Sequence, residues 1–295
     1  MTRLSVIIVS YNGLDLLTDC LNSIRKYNDI GTDLEVIVSD NSPDNRVVDS
    51  IKSNFPEVKT VHNPKNGGFG YGNNRGVDVS TGEYLLFLNP DTLLTEPIFQ
   101  YAINKFEQDD KLAIFGFRQF NKDHSTHYSY YVMDEVSLLD NLKQRKYLKN
   151  DTFIDGKMFI AGSAMFMRKD VFLRIGGFDE NLFMFYEESD ILRRVQNLNE
   201  GYYTAFFPEK SIIHLVGGTR KGEVSTDFTS TKRVLQSMKY YAEKHNLNFK
   251  SMIRKFRHAT YFRKLKYQLS GNRKQVEEFN KIIEYTKQML PFTDN

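Results

Sequence analysis

The amino-acid sequence predicts an α/β protein with a mostly parallel, Rossmann-like central sheet and a helical C-terminal extension. Three observations carry that expectation. Short β-rich runs alternate with helical spacing through roughly the first 120 residues. Polar clusters fall just past the carboxyl ends of those runs, where open α/β sheets bind ligands. From about residue 225 onward, apolar residues recur at spacings of three and four.

Residues 4 to 9 are a buried β-rich run, after which Leu14, Leu17, Leu21 and Ile24 share one helix face. EVIVS (35 to 39) is a second strand, followed by the polar turn DNSPDN, a short helix around residues 47 to 55 and a strand at 58 to 62. A glycine-rich loop and a helix near residues 74 to 80 precede the fourth strand, YLLFL (84 to 88), so βαβαβαβ is complete by residue 88. Residues 110 to 220 read as mixed: a strand at 112 to 117, the polar aromatic segment DHSTHYSYY, the apolar run MFIAGSAMFM, a GGFDE turn, the acidic YEESD and a strand ending at His214. Val234, Met238, Tyr241, Phe279, Ile282, Ile283 and Tyr285 mark the C-terminal helices.

With 295 residues, 40% of them hydrophobic and 26% charged, the chain can build a sizeable core, which excludes collagen-like and wholly disordered readings. The lone Cys20 cannot form an internal disulfide, and no Cys/His group has zinc-ligand spacing. The N-terminal apolar run, Val6 to Val9, is short for a signal sequence, and no stretch reaches the ~18 apolar residues of a membrane span. A reducing, cytoplasmic location is expected. Residues 221 to 295 carry 16 Lys and Arg against 7 Asp and Glu, a net +9, leaving −6 for residues 1 to 220.

Four polar clusters line the expected sheet edge: Ser10-Tyr11-Asn12, DNSPDN from Asp40, the loop at 63 to 76, and Asn89-Pro90-Asp91. Asp40 can accept hydrogen bonds from a nucleobase imide or ribose hydroxyl, or close an Asx turn. Glycines at 67, 68, 70, 72 and 76 can let backbone amides approach a diphosphate, or form a plain connection. Arg75 stands where a GxGxxG fingerprint needs its third glycine, and Walker-type Gly-Lys-Ser/Thr is missing. Asp91 can bridge a divalent cation to phosphates, or simply belong to a turn. Glu187, Glu188 and Asp190 open a helix that continues through Leu192 and Val195. Acids favour helix N-termini, but crowded carboxylates also raise one another's pKa, a route to a general base. His214 is structural unless Asp91 lies beside it. Residues 250 to 274 hold nine Lys and Arg, no Asp or Glu, and interleaved aromatics. Such a helix suits an anionic membrane surface first, a solvated face next and nucleic acid last.

The order of SVIIVSYNG, VSDNSPDN, KNGGFGYGNNRG, GEYLLFLNPDT, GGFDENLFMFYEESDILRR and IIHLVGGT resembles the family 2 inverting glycosyltransferases of the GT-A fold, especially their rhamnosyltransferase-like branch. The resemblance spans about residues 4 to 220. It implies a GT-A domain over 1 to 220, with a nucleotide-sugar half (1 to 110) and an acceptor half (111 to 220), followed by a basic helical region at 221 to 295. By the same resemblance Ser10, Tyr11, Asn12, Asp40, Asn66, Gly67, Gly68, Asn74, Asn89, Asp91 and Arg194 contact the nucleotide sugar. Asp91 and His214 hold Mn²⁺ or Mg²⁺, and Glu188, or Glu187 beside it, is the catalytic base. Arg194 matches an arginine that steadies the acidic segment or the diphosphate.

Two positions depart from the family pattern. The metal motif begins with Asn89 in place of Asp, and the Glu-Asp pair is Glu-Glu. No QxxRW signature of processive synthases is present, which fits one sugar added per encounter. The implied reaction moves a sugar, from dTDP-rhamnose or a UDP-hexose, to a hydroxyl of a lipid-linked or cell-surface polysaccharide precursor such as a polyprenyl-diphosphate-linked glycan. The basic region would sit on the inner face of the cytoplasmic membrane, and nucleic acid is not an expected partner. A sugar-1-phosphate nucleotidyltransferase or a noncatalytic nucleotide-binding module are the alternatives. The former should carry a basic glycine-rich signature near its N-terminus, which SYNGLDLL lacks.

Overall fold

The computed structural model describes residues 2–134, 138–215 and 227–290. Strands β1 (Leu4–Ser10), β2 (Leu34–Asp40), β3 (Lys59–His62) and β4 (Tyr84–Leu88) alternate with helices α1 (Leu14–Tyr27), α2 (Arg46–Asn54) and α3 (Gly68–Asp78). Then follow β5 (Thr92–Leu94), α4 (Phe99–Gln108), β6 (Leu112–Phe120), β7 (Tyr130–Val132), α5 (Leu138–Lys149), β8 (Met158–Ile160), β9 (Ala164–Arg168), α6 (Lys169–Arg174), α7 (Glu187–Gln196) and β10 (Tyr203–His214). Helices α8 (Phe228–Lys244), α9 (Phe249–Leu269) and α10 (Arg273–Gln288) complete the chain.

The main sheet has the order β3-β2-β1-β4-β9-β6-β10-β5. Pairings among β1 to β4 and between β6 and β10 are parallel, whereas β9 runs antiparallel to β4 and β6, and β5 to β10. The two-residue period of a strand explains the layering. On β1 and β4, Leu4, Val6, Ile8, Tyr84, Leu86 and Leu88 face one core with α1, α2 and α4, while Ile7, Leu85 and Phe87 face a second core with α3, α6 and α7. Cys20 lies in the first core, where burial pushes its thiol up to about 12. Helices α8 to α10 share a third cluster around Leu235, Met238, Ile253, Phe256, Phe279 and Ile282.

The fourth strand lies where the sequence placed it, but the helix expected from residue 74 begins at Gly68. The glycine-rich segment is therefore mostly helix, and its glycines answer to packing. A Cβ on Gly72 would meet Val9 Cγ1 at 2.7 Å, one on Gly76 would meet Ile7 Cγ2 at 2.4 Å, and one on Gly70 would meet Phe178 Cβ at 2.9 Å. Helix α3 thus lies nearer to β1 than side chains at 72 and 76 would allow. Strand β6 runs to Phe120, past the expected end at 117. The VGG of IIHLVGGT and the boundary expected at residue 220 lie outside the described residues.

Candidate functional site

The carboxyl ends of β1 and β2 bring the first cluster together. Ser10 and Asp40 are register partners, and both are fully buried. Asp40 Oδ1 accepts hydrogen bonds from the Ser42 amide (3.2 Å) and hydroxyl (2.6 Å), closing an Asx turn. Ser42 Oγ in turn accepts from the amide of Asn12, which is held at φ 57°. Asp40 Oδ2 and Ser10 Oγ have no hydrogen-bond partner; His62 Nδ1 stands 3.7 Å from that Oδ2. A buried carboxylate oxygen without a donor is an unmet demand, which an imide N–H or ribose hydroxyl can satisfy.

Tyr11 is exposed beside this cluster. Asn66 Oδ1 accepts the Gly68 amide, and Gly67 is the N-cap of α3. Gly68 adopts φ +91°, and a Cβ there would lie 2.0 Å from the Phe183 carbonyl oxygen, so only glycine fits. Two unanticipated residues fasten the cluster. Asn63 donates to Ser39 Oγ and Asn41 Oδ1, and Asn41 donates to the Gly68 carbonyl, joining the end of β2 to the start of α3. Both stand inside polar clusters already visible in the sequence, though nothing there marks them as partners.

The second group surrounds the turn after β4. The Asn89 amide donates to the Ser163 carbonyl at 2.9 Å, and the Asn89 carbonyl accepts from Thr92 Oγ1. Asp91 Oδ1 lies 3.1 Å from His214 Nε2. The sequence left His214 conditional on that neighbour, and the register placing His214 opposite Thr92 supplies it. His214 Nδ1 is buried without a hydrogen-bond partner. His127, which the sequence did not single out, packs its ring 4.7 Å from that of His214; burial and His214 push its pKa down to about 4.

One carboxylate and one imidazole suit a divalent cation that also takes substrate phosphate oxygens. Among the described residues no group of three or more His, Cys, Asp or Glu forms a closed metal cage. Asp91 and His214, side by side, are donors of the kind that fits Mn²⁺ or Mg²⁺.

The third group is the start of α7. Phe185 and Tyr186 both take φ 73°, in the left-handed region, and turn the chain so that Glu187 and Glu188 open the helix. Glu187 is 3% exposed, with an unpartnered Oε1, and burial together with Glu188 raises its pKa well above the ordinary carboxylate range. Glu188 is only partly buried; its Oε1 accepts the Gly162 amide at 2.8 Å, and desolvation raises its pKa as well. Burial raises both members of the pair, and more strongly the deeper Glu187, where Glu188 adds to the rise.

One turn latches both ends of the site. Gly162 offers its amide to Glu188, and Ser163 offers its carbonyl to Asn89. A row of rings runs alongside: His214 to His127, His127 to Tyr128 at 6.2 Å, Tyr128 to Tyr131 at 5.3 Å and Tyr131 to Phe159 at 5.5 Å. Tyr131 lies close enough to Glu188 that burial and that carboxylate both push its phenol up.

Asn74 and Arg194 sit in a different recess. Asn74 exchanges hydrogen bonds with the Phe178 backbone, and Arg194 bonds Asp190 and the Ile175 and Gly177 carbonyls. Both line a cavity of about 540 Å³ with Gly177, Phe178, Glu180 and Lys244, whose walls do not include Asp40, Asp91 or Glu188. Of the two roles left open for Arg194, steadying the acidic segment matches these bonds.

A family model for glycosyl transferase family 2 matches residues 5–176. An uncharacterized glycosyltransferase of Haemophilus influenzae is 26% identical over 290 residues, 98% of this chain and 92% of that protein. Rhamnosyltransferase WbbL of Escherichia coli is 25% identical over 211 residues, 64% of this chain and 75% of that protein. Mannosyltransferase PcManGT of Pyrobaculum calidifontis, in complex with GDP-Man and Mn²⁺, aligns with a TM-score of 0.58 at 16% identity, over 82% of this chain and 64% of that one. TarS of S. aureus aligns at 0.55 and 14% identity, over 90% of this chain and 43% of that one. At these identities the two structures speak for the fold alone. The chain belongs to glycosyltransferase family 2 and is a glycosyltransferase of the GT-A fold.

Proposed function

We propose that this glycosyltransferase moves one sugar from a nucleoside diphosphate to an acceptor hydroxyl with inversion at the anomeric carbon, and that Glu188 is the base. The observation that carries this reading is the Gly162-Ser163 turn, which ties the glutamate helix and the Asp91 turn to adjacent residues. Asp40 and Ser10 receive the nucleoside, with Tyr11, Asn12, Asn66, Gly67 and Gly68 around it. Asn89 and Asp91 face the diphosphate, and Asp91 with His214 would hold Mn²⁺ or Mg²⁺, which when bound would offset negative charge on the departing diphosphate.

Glu188 takes the proton of the acceptor hydroxyl as its oxygen bonds to the anomeric carbon, and the bond from that carbon to the β-phosphate oxygen breaks. The electron pair leaves on the nucleoside diphosphate. Glu187, buried beside it with its pKa raised by burial and by Glu188, resists adding a second negative charge. The ring row from His127 to Phe159 offers the acceptor an apolar wall on the Glu188 side; sugars present apolar C–H faces to such rings.

In this reading residues 1 to 110 bind the donor and 111 to 220 the acceptor, followed by the helical region from 221. The acceptor is a lipid-linked or cell-surface glycan precursor met at the inner face of the cytoplasmic membrane. dTDP-rhamnose is the first donor to try, because WbbL carries the name rhamnosyltransferase, with UDP-hexoses next. Incubation with nucleotide sugars tests the reading. Release of nucleoside diphosphate supports transfer, release of pyrophosphate in a parallel incubation with a nucleoside triphosphate and a sugar 1-phosphate points to a nucleotidyltransferase, and release of neither overturns catalysis.

A further inference from the structure

Helix α9 has apolar residues on two opposite sides. Met252, Ile253, Phe256, Ala259 and Thr260 are buried, the first three within the cluster that α9 shares with α8 and α10. At about 100° per residue, the side facing away carries Arg254 and His258 in its first half and Tyr261, Phe262, Leu265 and Leu269 in its second. Tyr261 is 43% exposed, Phe262 64%, Leu265 51% and Leu269 83%. A helix packed on a globular protein ordinarily places polar residues there.

Cations border the exposed stripe. Lys255 and Lys266 stand on one side, Arg257 and Lys264 on the other, and residues 250 to 274 contain no Asp or Glu. A contiguous apolar strip between two cationic rows matches the boundary between acyl chains and anionic headgroups. A second copy of this face would bring like charges together with no acid between them to offset the repulsion. Nucleic acid phosphates would use the cations but leave Leu265 and Leu269 without a role. No described helix is long and apolar enough to cross a membrane.

We infer that α9 docks this enzyme in the plane of an anionic lipid surface, with Tyr261, Phe262, Leu265 and Leu269 entering the headgroup boundary and the flanking Lys and Arg pairing with headgroups. This goes beyond the transferase reading and does not rest on it, because docking requires neither donor nor acceptor.

The test is co-sedimentation of the full chain with vesicles of phosphatidylcholine alone or with about one third phosphatidylglycerol. Binding to the second kind is expected, weakened by added salt. Phe262→Ser/Leu265→Ser/Leu269→Ser and, separately, Lys255→Glu/Lys266→Glu should each lower partitioning about tenfold or more. All these side chains are exposed, so both variants should melt as the wild type does by circular dichroism. Four results would overturn the inference: equal binding of the wild type to both vesicles, binding of the variants at the wild-type level, a dimer in light scattering that the triple serine variant dissolves, or retention on poly(U) in place of vesicles.

Discussion

Glu187 and Glu188 are neighbours in sequence with opposite surroundings, and that difference makes their substitutions distinguishable. Glu188→Gln is expected to lower turnover by about 10²-fold or more with donor affinity unchanged, read by steady-state kinetics and calorimetry. Gly162→Ala should also slow turnover, about tenfold or more, because its Cβ would stand 2.6 Å from Glu188 Oε1. Glu187 makes a stability prediction instead. A carboxyl whose folded-state pKa lies above its unfolded value contributes fully below the unfolded value, near 4.3, and loses that contribution as pH rises through the folded one. Since burial raises Glu187, Glu187→Gln should melt higher than wild type at about pH 8 and equally at about pH 4, in thermal scans across that range. A higher melting temperature for the wild type at pH 8 would refute this. The acidic pair was legible in the sequence; which member is the more deeply buried was not, because adjacent residues on a helix point about 100° apart and only packing decides between them. Asp91 and His214 were legible as candidates, and their 3.1 Å meeting across 123 positions had to wait for the pairing of β5 with β10.

The elements differ in how well their sequences declared them. Strands β1, β2 and β4 were readable because a buried parallel sheet demands unbroken apolar runs, which VIIV, VIV and YLLFL supply, whereas the edge strand β3, KTVH, carries none. Helix α3 was misread in its first turns because a glycine that lets a helix approach a strand looks the same in sequence as one that lets a backbone approach a phosphate. That difference can be measured: Gly76→Ala should destabilise by about 1 to 3 kcal/mol in urea unfolding, since its Cβ must displace Ile7 Cγ2. A substitution without cost would refute the packing account. The short pair of β7 and β8, three residues each, gave no periodic signal, so the ring row they help to build was invisible beforehand. Tyr131→Ala is expected to raise the acceptor KM severalfold while leaving donor KM unchanged; an equal rise in both would place Tyr131 outside the acceptor wall.

Across the whole molecule, the sequence marked residues 221 to 295 as a basic helical region, and α8 of that region is clasped to the segment that carries the glutamates. Lys244 bonds Asp179 and Asp190 at 2.6 Å each, His245 lies 2.8 Å from Asp190, Ser237 donates to the Met184 carbonyl, and Arg193 donates to Tyr241. These partners are 48 to 65 positions apart, beyond the reach of any spacing rule. Asp190 is fully buried beside Arg194, Lys244 and His245, so Asp190→Asn should cost roughly 3 to 5 kcal/mol in denaturant unfolding by leaving the Arg194 and Lys244 charges short of a partner; a loss below about 1 kcal/mol would deny the clasp. The sealed Cys20 has a different use. Its thiol stays protonated in the core at neutral pH, and the chain contains no tryptophan, so a cysteine or tryptophan introduced on the surface would be a unique reactive handle or a unique fluorophore. Spectroscopic labels can therefore be placed singly in this enzyme without first removing a native residue.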